Sequence, residues 1–104
     1  MLIVNTEQVA GKEIAESLGL VRGSATRARF FVNDIVASLR NLIGGEIDEY
    51  TKLLADTREQ ALQRMMQDAQ TLGADAVVSV RFTTSTISQG TSEILAFGTA
   101  VKFK

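Results

Sequence analysis

Residues 46–72 run from the glycine pair Gly44-Gly45 to Gly73 without a glycine or a proline, the longest such stretch in this 104-residue chain. A helix over that span would be about 40 Å long at roughly 1.5 Å per residue. It would commit much of a small chain to one rod and to whatever that rod packs on. On a helical wheel Ile47, Tyr50, Leu54, Ala61, Met65 and Leu72 form one stripe, with Leu62 and Ala69 beside it. Glu49, Lys52, Asp56, Glu59, Gln63, Gln67 and Gln70 fall on the other side. The spacing therefore predicts an amphipathic helix with a solvated outer face, ended by Gly73 at its C-terminus. Glu46, Asp48 and Glu49 fall in its first turn, where carboxylates favour the helix dipole by about 0.3–1 kcal/mol each. They point in different directions, so a hard cation bound there would need further ligands from elsewhere.

Arg58 is the anomaly. The wheel places it inside the apolar stripe, between Leu54, Ala61, Leu62 and Met65. A guanidinium aimed at a core must be paired or reach out to water. The expectation is a structural ion pair or a subunit contact, so that Arg58→Ala would cost about 3–5 kcal/mol. The alternative is a pocket in which Arg58 grips an anionic ligand bidentately, with Arg22, Arg27 and Arg29 as companions.

Around this helix the chain reads as strands. "MLIV" is a short buried strand, and residues 13–25 form a second. That second strand has Ile14, Leu18 and Leu20 on one side, and Ser17, Gly19, Val21 and Gly23 on the other. The small side suits close approach of another backbone or helix. Residues 33–43 read as a first helix, with Asn33 as N-cap and Gly44-Gly45 as its end. Asp75 is placed to accept from loose donors in the turn after the long helix. Two β-rich runs flank Gln89-Gly90, a hairpin signal. In the last run Leu95, Phe97, Thr99, Val101 and Phe103 share one face, and Ile94, Ala96, Gly98 and Ala100 the other. This second face is small and apolar where a monomer would show water a polar one, and a neighbouring protomer is its expected cover. The expected fold is a single α+β domain over residues 1–104, an antiparallel sheet in the order β-β-α-α-β-β with two helices packed on it.

Composition narrows the chemistry. There is no cysteine and no histidine, so there is no disulfide, no thiolate nucleophile and no imidazole base or ligand. Soft heavy metals lack their preferred donors. G-x-S-x-G, G-x-G-x-x-G and P-loop patterns are absent, and the reading is a non-enzyme without a cofactor. The net charge of −1 argues against a nucleic-acid partner. No apolar run is long enough to span a bilayer and no targeting segment is visible, so the expected location is cytoplasmic. Residues 21–45 carry Arg22, Arg27, Arg29 and Arg40 against Asp34, net +3, while residues 46–75 are net −4. Such blocks complement one another within a protomer or between copies. A chain this small has a thin stability margin, and self-association is the remaining reinforcement.

The combination of "LGLVRGSATRARFFVND", "LRNLIGGEIDEYTKLLADTREQALQRMMQDAQTLGADAVVSVRF" and "FGTAVKF" resembles the small, largely uncharacterised bacterial YbjQ-like proteins. That family is labelled "putative heavy-metal-binding domain". The resemblance covers nearly the whole chain. It rests on Gly19, Gly23, Gly44, Gly45, Glu46, Tyr50, Arg58, Ala61, Gly73, Ala74 and Asp75. It implies an α+β protomer in a ring-like homo-oligomer, a pentamer, with no established catalysis.

Three readings of function follow. The first is a homo-oligomeric binding and assembly module for an unknown small ligand or protein, with Arg22, Arg27, Arg29, Glu46, Tyr50 and Arg58 as ligand or interface candidates. The second is a metal-binding protein using Glu46, Asp48 or Glu49 with carboxylates at a subunit interface. The third is an enzyme acting on an anionic small molecule anchored by Arg58.

Overall fold

In the computed structural model, residues 1–28, 48–88 and 91–104 are described. They form β1 (Leu2–Ile3), β2 (Ile14–Ala28), α1 (Asp48–Thr71), β3 (Ala76–Ser88) and β4 (Thr91–Phe103). The expected helix over residues 33–43 lies outside the described residues, as does the turn at 89–90. The four strands make one sheet in the order β1-β3-β4-β2. β4 pairs antiparallel with both β3 and β2. β1 pairs parallel with β3 through Leu2↔Ala76 and Ile3↔Val77. The sheet is therefore mixed, not all antiparallel as expected. A two-residue edge strand has no periodicity from which its direction could be read. After β1 the chain crosses to β2 at the far edge, and Val4 and Val9 pack on Val78 and Val101 on the way.

The sheet has two unlike faces. On one, Val21, Ala25, Val77, Ile94, Ala96 and Ala100 join Ala61, Met65 and Ala69 of α1 in a single core. The small face of β4 is thus covered by the chain's own helix, and no second copy is needed for it. Small side chains are present because the helix lies so close. At Gly23 an added Cβ would stand 2.2 Å from the Met65 nitrogen and 2.4 Å from the Ala61 oxygen. Backbone meets backbone there, as the small side of the second strand predicts. Gly19 does something different. Nothing lies within 4 Å of a Cβ built on it, but its φ is +115° and the β2–β4 register slips between Ser17 and Gly19. It forms a bulge, and a bulge breaks alternation. Leu18 packs on the helix-side core, Ile14 packs on the opposite cluster, and Leu20 is 64% exposed. The expected single row of these three residues is broken for that reason.

The buried line of α1 is Thr57, Ala61, Met65 and Ala69, spaced by four. This is the i±4 ridge of a helix, and it drifts away from the wheel's averaged stripe. Thr57, 2% exposed, takes the place assigned to Arg58, while Arg58 itself is exposed. The expectation of a core guanidinium is corrected accordingly. At its C-terminus α1 closes with Gly73 N–H donating to Gln70 O (3.0 Å) and Ala74 N–H to Ala69 O (3.2 Å). Gly73 has φ +75°, so this is a Schellman end that only a glycine-like conformation allows without strain. Asp75 turns out to serve the sheet: its Oδ2 accepts from Phe103 N–H at 2.8 Å.

The molecule is long for its size. Its radius of gyration is 17.1 Å and its extents are 56 × 27 × 18 Å, against a radius of about 13 Å for a compact chain of this length. β2, β3 and β4, paired along 13–15 residues each, run the length of the molecule.

Two substitutions test the packing. Gly23→Ala is expected to lose about 3 kcal/mol, the upper range for overpacking, because backbone rather than a flexible side chain must give way. That is a fall in thermal midpoint on the order of 10–20 °C, measured by calorimetry; an unchanged midpoint would contradict the close contact. Arg58→Ala, at an exposed position, should stay within about 0.5 kcal/mol of the parent in denaturant titrations.

Candidate functional site

Among the described residues, Arg22 and Arg58 do not meet in one pocket. Arg22 lies on β2, exposed, and its backbone N–H donates to Asp68 Oδ2 at 3.1 Å. Arg58 lies ten residues before Asp68 on the helix, about 15 Å away along its axis. Arg27 is on β2 opposite Ser92 of β4, while Arg29 and Glu46 lie outside the described residues. Asp48, Glu49 and Tyr50 form the first turn of α1; the structure describes their backbone and not their side chains.

The structure joins residues that the sequence had left apart. Arg64 Nη1 donates to Ser24 O at 2.6 Å, one helical turn from the Asp68–Arg22 contact. Together these two α1 side chains clasp the outer edge of β2. The pair is four apart on the helix, a signal visible in the sequence, but its target is not. Both contacts end on main-chain atoms of β2; they set α1 against that strand and pair no opposite charges.

On the face away from α1, register places Arg22, Phe97 and Arg81 in one row across β2, β4 and β3. Arg81 Nη1 is already held by Asn5 O at 2.8 Å and Val80 O at 3.0 Å. It therefore ties the crossing segment to β3. Near the base of the molecule, Glu7, Gln8, Lys12, Glu13 and Ile14 line an open cleft of about 490 Å³. Lys12 sits 5.8 Å from the Phe103 ring centre. Glu13 and Lys104 approach to 3.6 Å but are 72% and 71% exposed, an arrangement that water and salt screen heavily.

The donor chemistry does not suit a soft heavy metal. The chain has no thiol and no imidazole, and among the described residues no three acidic side chains converge as a ligand set. Among the same residues no buried side-chain polar atom lacks a partner, so none is left waiting for an ion. No helix of the described residues is long and apolar enough to cross a membrane.

Similar proteins agree on the fold and the family. A crystal structure of a protein of unknown function from Pediococcus pentosaceus, of the DUF74 family, superposes with a TM-score of 0.67 at 18% identity, covering 100% of this chain and 98% of that one. That likeness concerns the fold. A UPF0145 protein of Halorubrum lacusprofundi is 55% identical over the whole of both chains. One from Photobacterium profundum is 52% identical over 98% of this chain and 99% of its own. A family model described as "Putative heavy-metal-binding" matches residues 1–104. The chain belongs to this YbjQ-like family of UPF0145 proteins.

Proposed function

We propose that this protein is a self-assembling module, a ring-like homo-oligomer that binds and presents rather than catalyses. One observation carries the reading. Among the residues whose side chains the structure describes, no leucine and no phenylalanine is buried. The largest fully buried side chains are Met65, Val21, Val77, Val101 and Thr57. The larger side chains are left outside this thin core: Leu20 is 64% exposed, Phe82 46%, Leu72 45% and Leu2 43%. Full burial of each would contribute about 1.5–3 kcal/mol, so association of copies is the available way to strengthen a marginal domain.

The count of five subunits comes from the family resemblance, and the cytoplasmic location stays part of this proposal. A catalytic reading anchored by Arg58 has no geometry behind it, since Arg58 stands apart from Arg22 and faces outward. Among the described residues the metal-binding reading finds no converging ligand set, and the family description stays with the family.

Native mass spectrometry of freshly purified protein is expected to show one discrete oligomer of five copies. A monomer at micromolar concentration would overturn the reading. Elemental analysis of protein prepared without chelator should find heavy metal far below one ion per chain; a stoichiometric soft metal would refute the donor argument.

A further inference from the structure

We propose that the row Arg22–Phe97–Arg81, on the sheet face away from α1, binds a small aromatic phosphate with the chemistry of a nucleoside monophosphate. This names a ligand for the binding half of the proposed function and rests on that half alone. All three residues belong to one protomer. Two bulges build the row. In β2 the step from Ser17 to Gly19 crosses only from Val101 to Ala100 on β4, and Gly19 has φ +115°. In β3 the step from Val78 to Arg81 crosses only from Thr99 to Phe97, and within it Ser79 has φ +56°. That left-handed conformation is unfavourable for a residue with a side chain, and backbone strain of this kind concentrates at ligand sites. One extra residue turns every later side chain to the other face. Without the two slips, Arg22 and Arg81 would both stand opposite Ala96, on the face that α1 covers. With them, both stand opposite Phe97 on the other face.

The row is open to a ligand. Arg22 and Arg81 are exposed, and Phe97 and Leu95 are half-buried. Leu20, on the same face, is 64% exposed. Among the described residues neither guanidinium has a carboxylate at ion-pair distance. Arg81 Nη1 is held by Asn5 O and Val80 O, which orients the planar fork and leaves Nε and Nη2 for another acceptor. A fork already oriented loses less freedom when it grips an anion. Strands lie about 4.8 Å apart, so the backbones of the two arginines are about 10 Å apart with Phe97 midway. A phosphate accepts well from guanidinium groups, and a flat ring stacks on a phenylalanine. A bare anion would leave Phe97 unused, and an uncharged ring would leave the arginines unused. Glu93, the acid on this face of β4, stands four residues from Phe97, about 13 Å along the strand. Beside Arg81, an open cleft of about 590 Å³ is lined by Asn5, Thr6, Glu7, Gln8 and Ala10. Its amides and hydroxyl suit the hydroxyls of a sugar, while Glu7 leaves the phosphate to the row.

The test titrates adenosine 5′-monophosphate into the whole chain by calorimetry. Adenosine is the probe without a charge, and ribose 5-phosphate is the probe without a ring. The nucleotide is expected to bind one site per chain, and each fragment at least tenfold more weakly. Arg22→Gln keeps the main-chain N–H that Asp68 accepts from, and Phe97→Leu keeps an apolar residue in the row. Each is expected to weaken the nucleotide at least fivefold with a thermal midpoint near the parent's. Lys52→Gln on α1, which also removes one positive charge, should bind as the parent does. If Phe97→Leu fails to fold, Arg22→Gln decides. No saturable binding at millimolar nucleotide overturns the inference, as does Arg22→Gln binding like the parent. Ribose 5-phosphate binding as well as the nucleotide, or a single-stranded oligothymidylate or a second copy displacing it from the face, overturns it too. Native mass spectrometry of the same samples separates the two readings: a discrete oligomer that takes up no nucleotide sinks this inference and leaves self-assembly standing, whereas a monomer that binds it does the reverse.

Discussion

The backbone of α1 lies directly against the backbone of β2 at Gly23, and the rest of the architecture is arranged around that contact. Atoms that a Cβ would approach to 2.2–2.7 Å include the Met65 nitrogen, the Ala61 oxygen and the Arg64 carbon. So close an approach demands small side chains on both elements, and Val21, Ala25, Ala61 and Ala69 supply them. It also brings the flank of the helix over the edge of the sheet. From there Asp68 and Arg64 reach the main chain of Arg22 and Ser24. A wider helix–sheet spacing would put those bonds out of reach.

The same closeness has a consequence for stability. A core filled by alanine and valine with one isoleucine and one methionine buries little apolar area per residue, and hydrophobic stabilisation scales with that area. β2, β3 and β4 run side by side for 13–15 residues each, and the 24-residue α1 packs on one face of them. Larger side chains then remain at the surface because the tight interface has no room for them. Among the described residues, the exposed large side chains follow from a thin layer packed on a long sheet.

The chemistry open to this protein is bounded more firmly by what its side chains are than by where they lie. Soft metal ions select thiolates and imidazoles, and neither residue type is present. Of the arginines that suggested an anion site, Arg22 lies on β2 and Arg58 on α1, while Arg64 and Arg81, which were no part of that expectation, serve backbone carbonyls. Their visible work is to fasten segments of the fold together.

The sequence alone determined the local elements. Gly73 at the helix end, the uninterrupted run before it and the β-rich runs flanking residues 89–90 fix α1, β3 and β4 nearly to the residue, because these signals depend on neighbours a few positions away. The small residues at Val21 and Gly23 announced a close contact, and the family motifs announced the fold. Tertiary structure decided what those surfaces meet. It put Thr57 rather than Arg58 in the core, since the buried line of a helix follows the ridge that fits its partner. It turned β1 parallel, a direction that two residues cannot encode. It flipped Leu18 and Leu20 apart through the bulge at Gly19. It covered the small face of β4 with the chain's own helix, because only three-dimensional proximity tells which apolar face finds a partner within the chain.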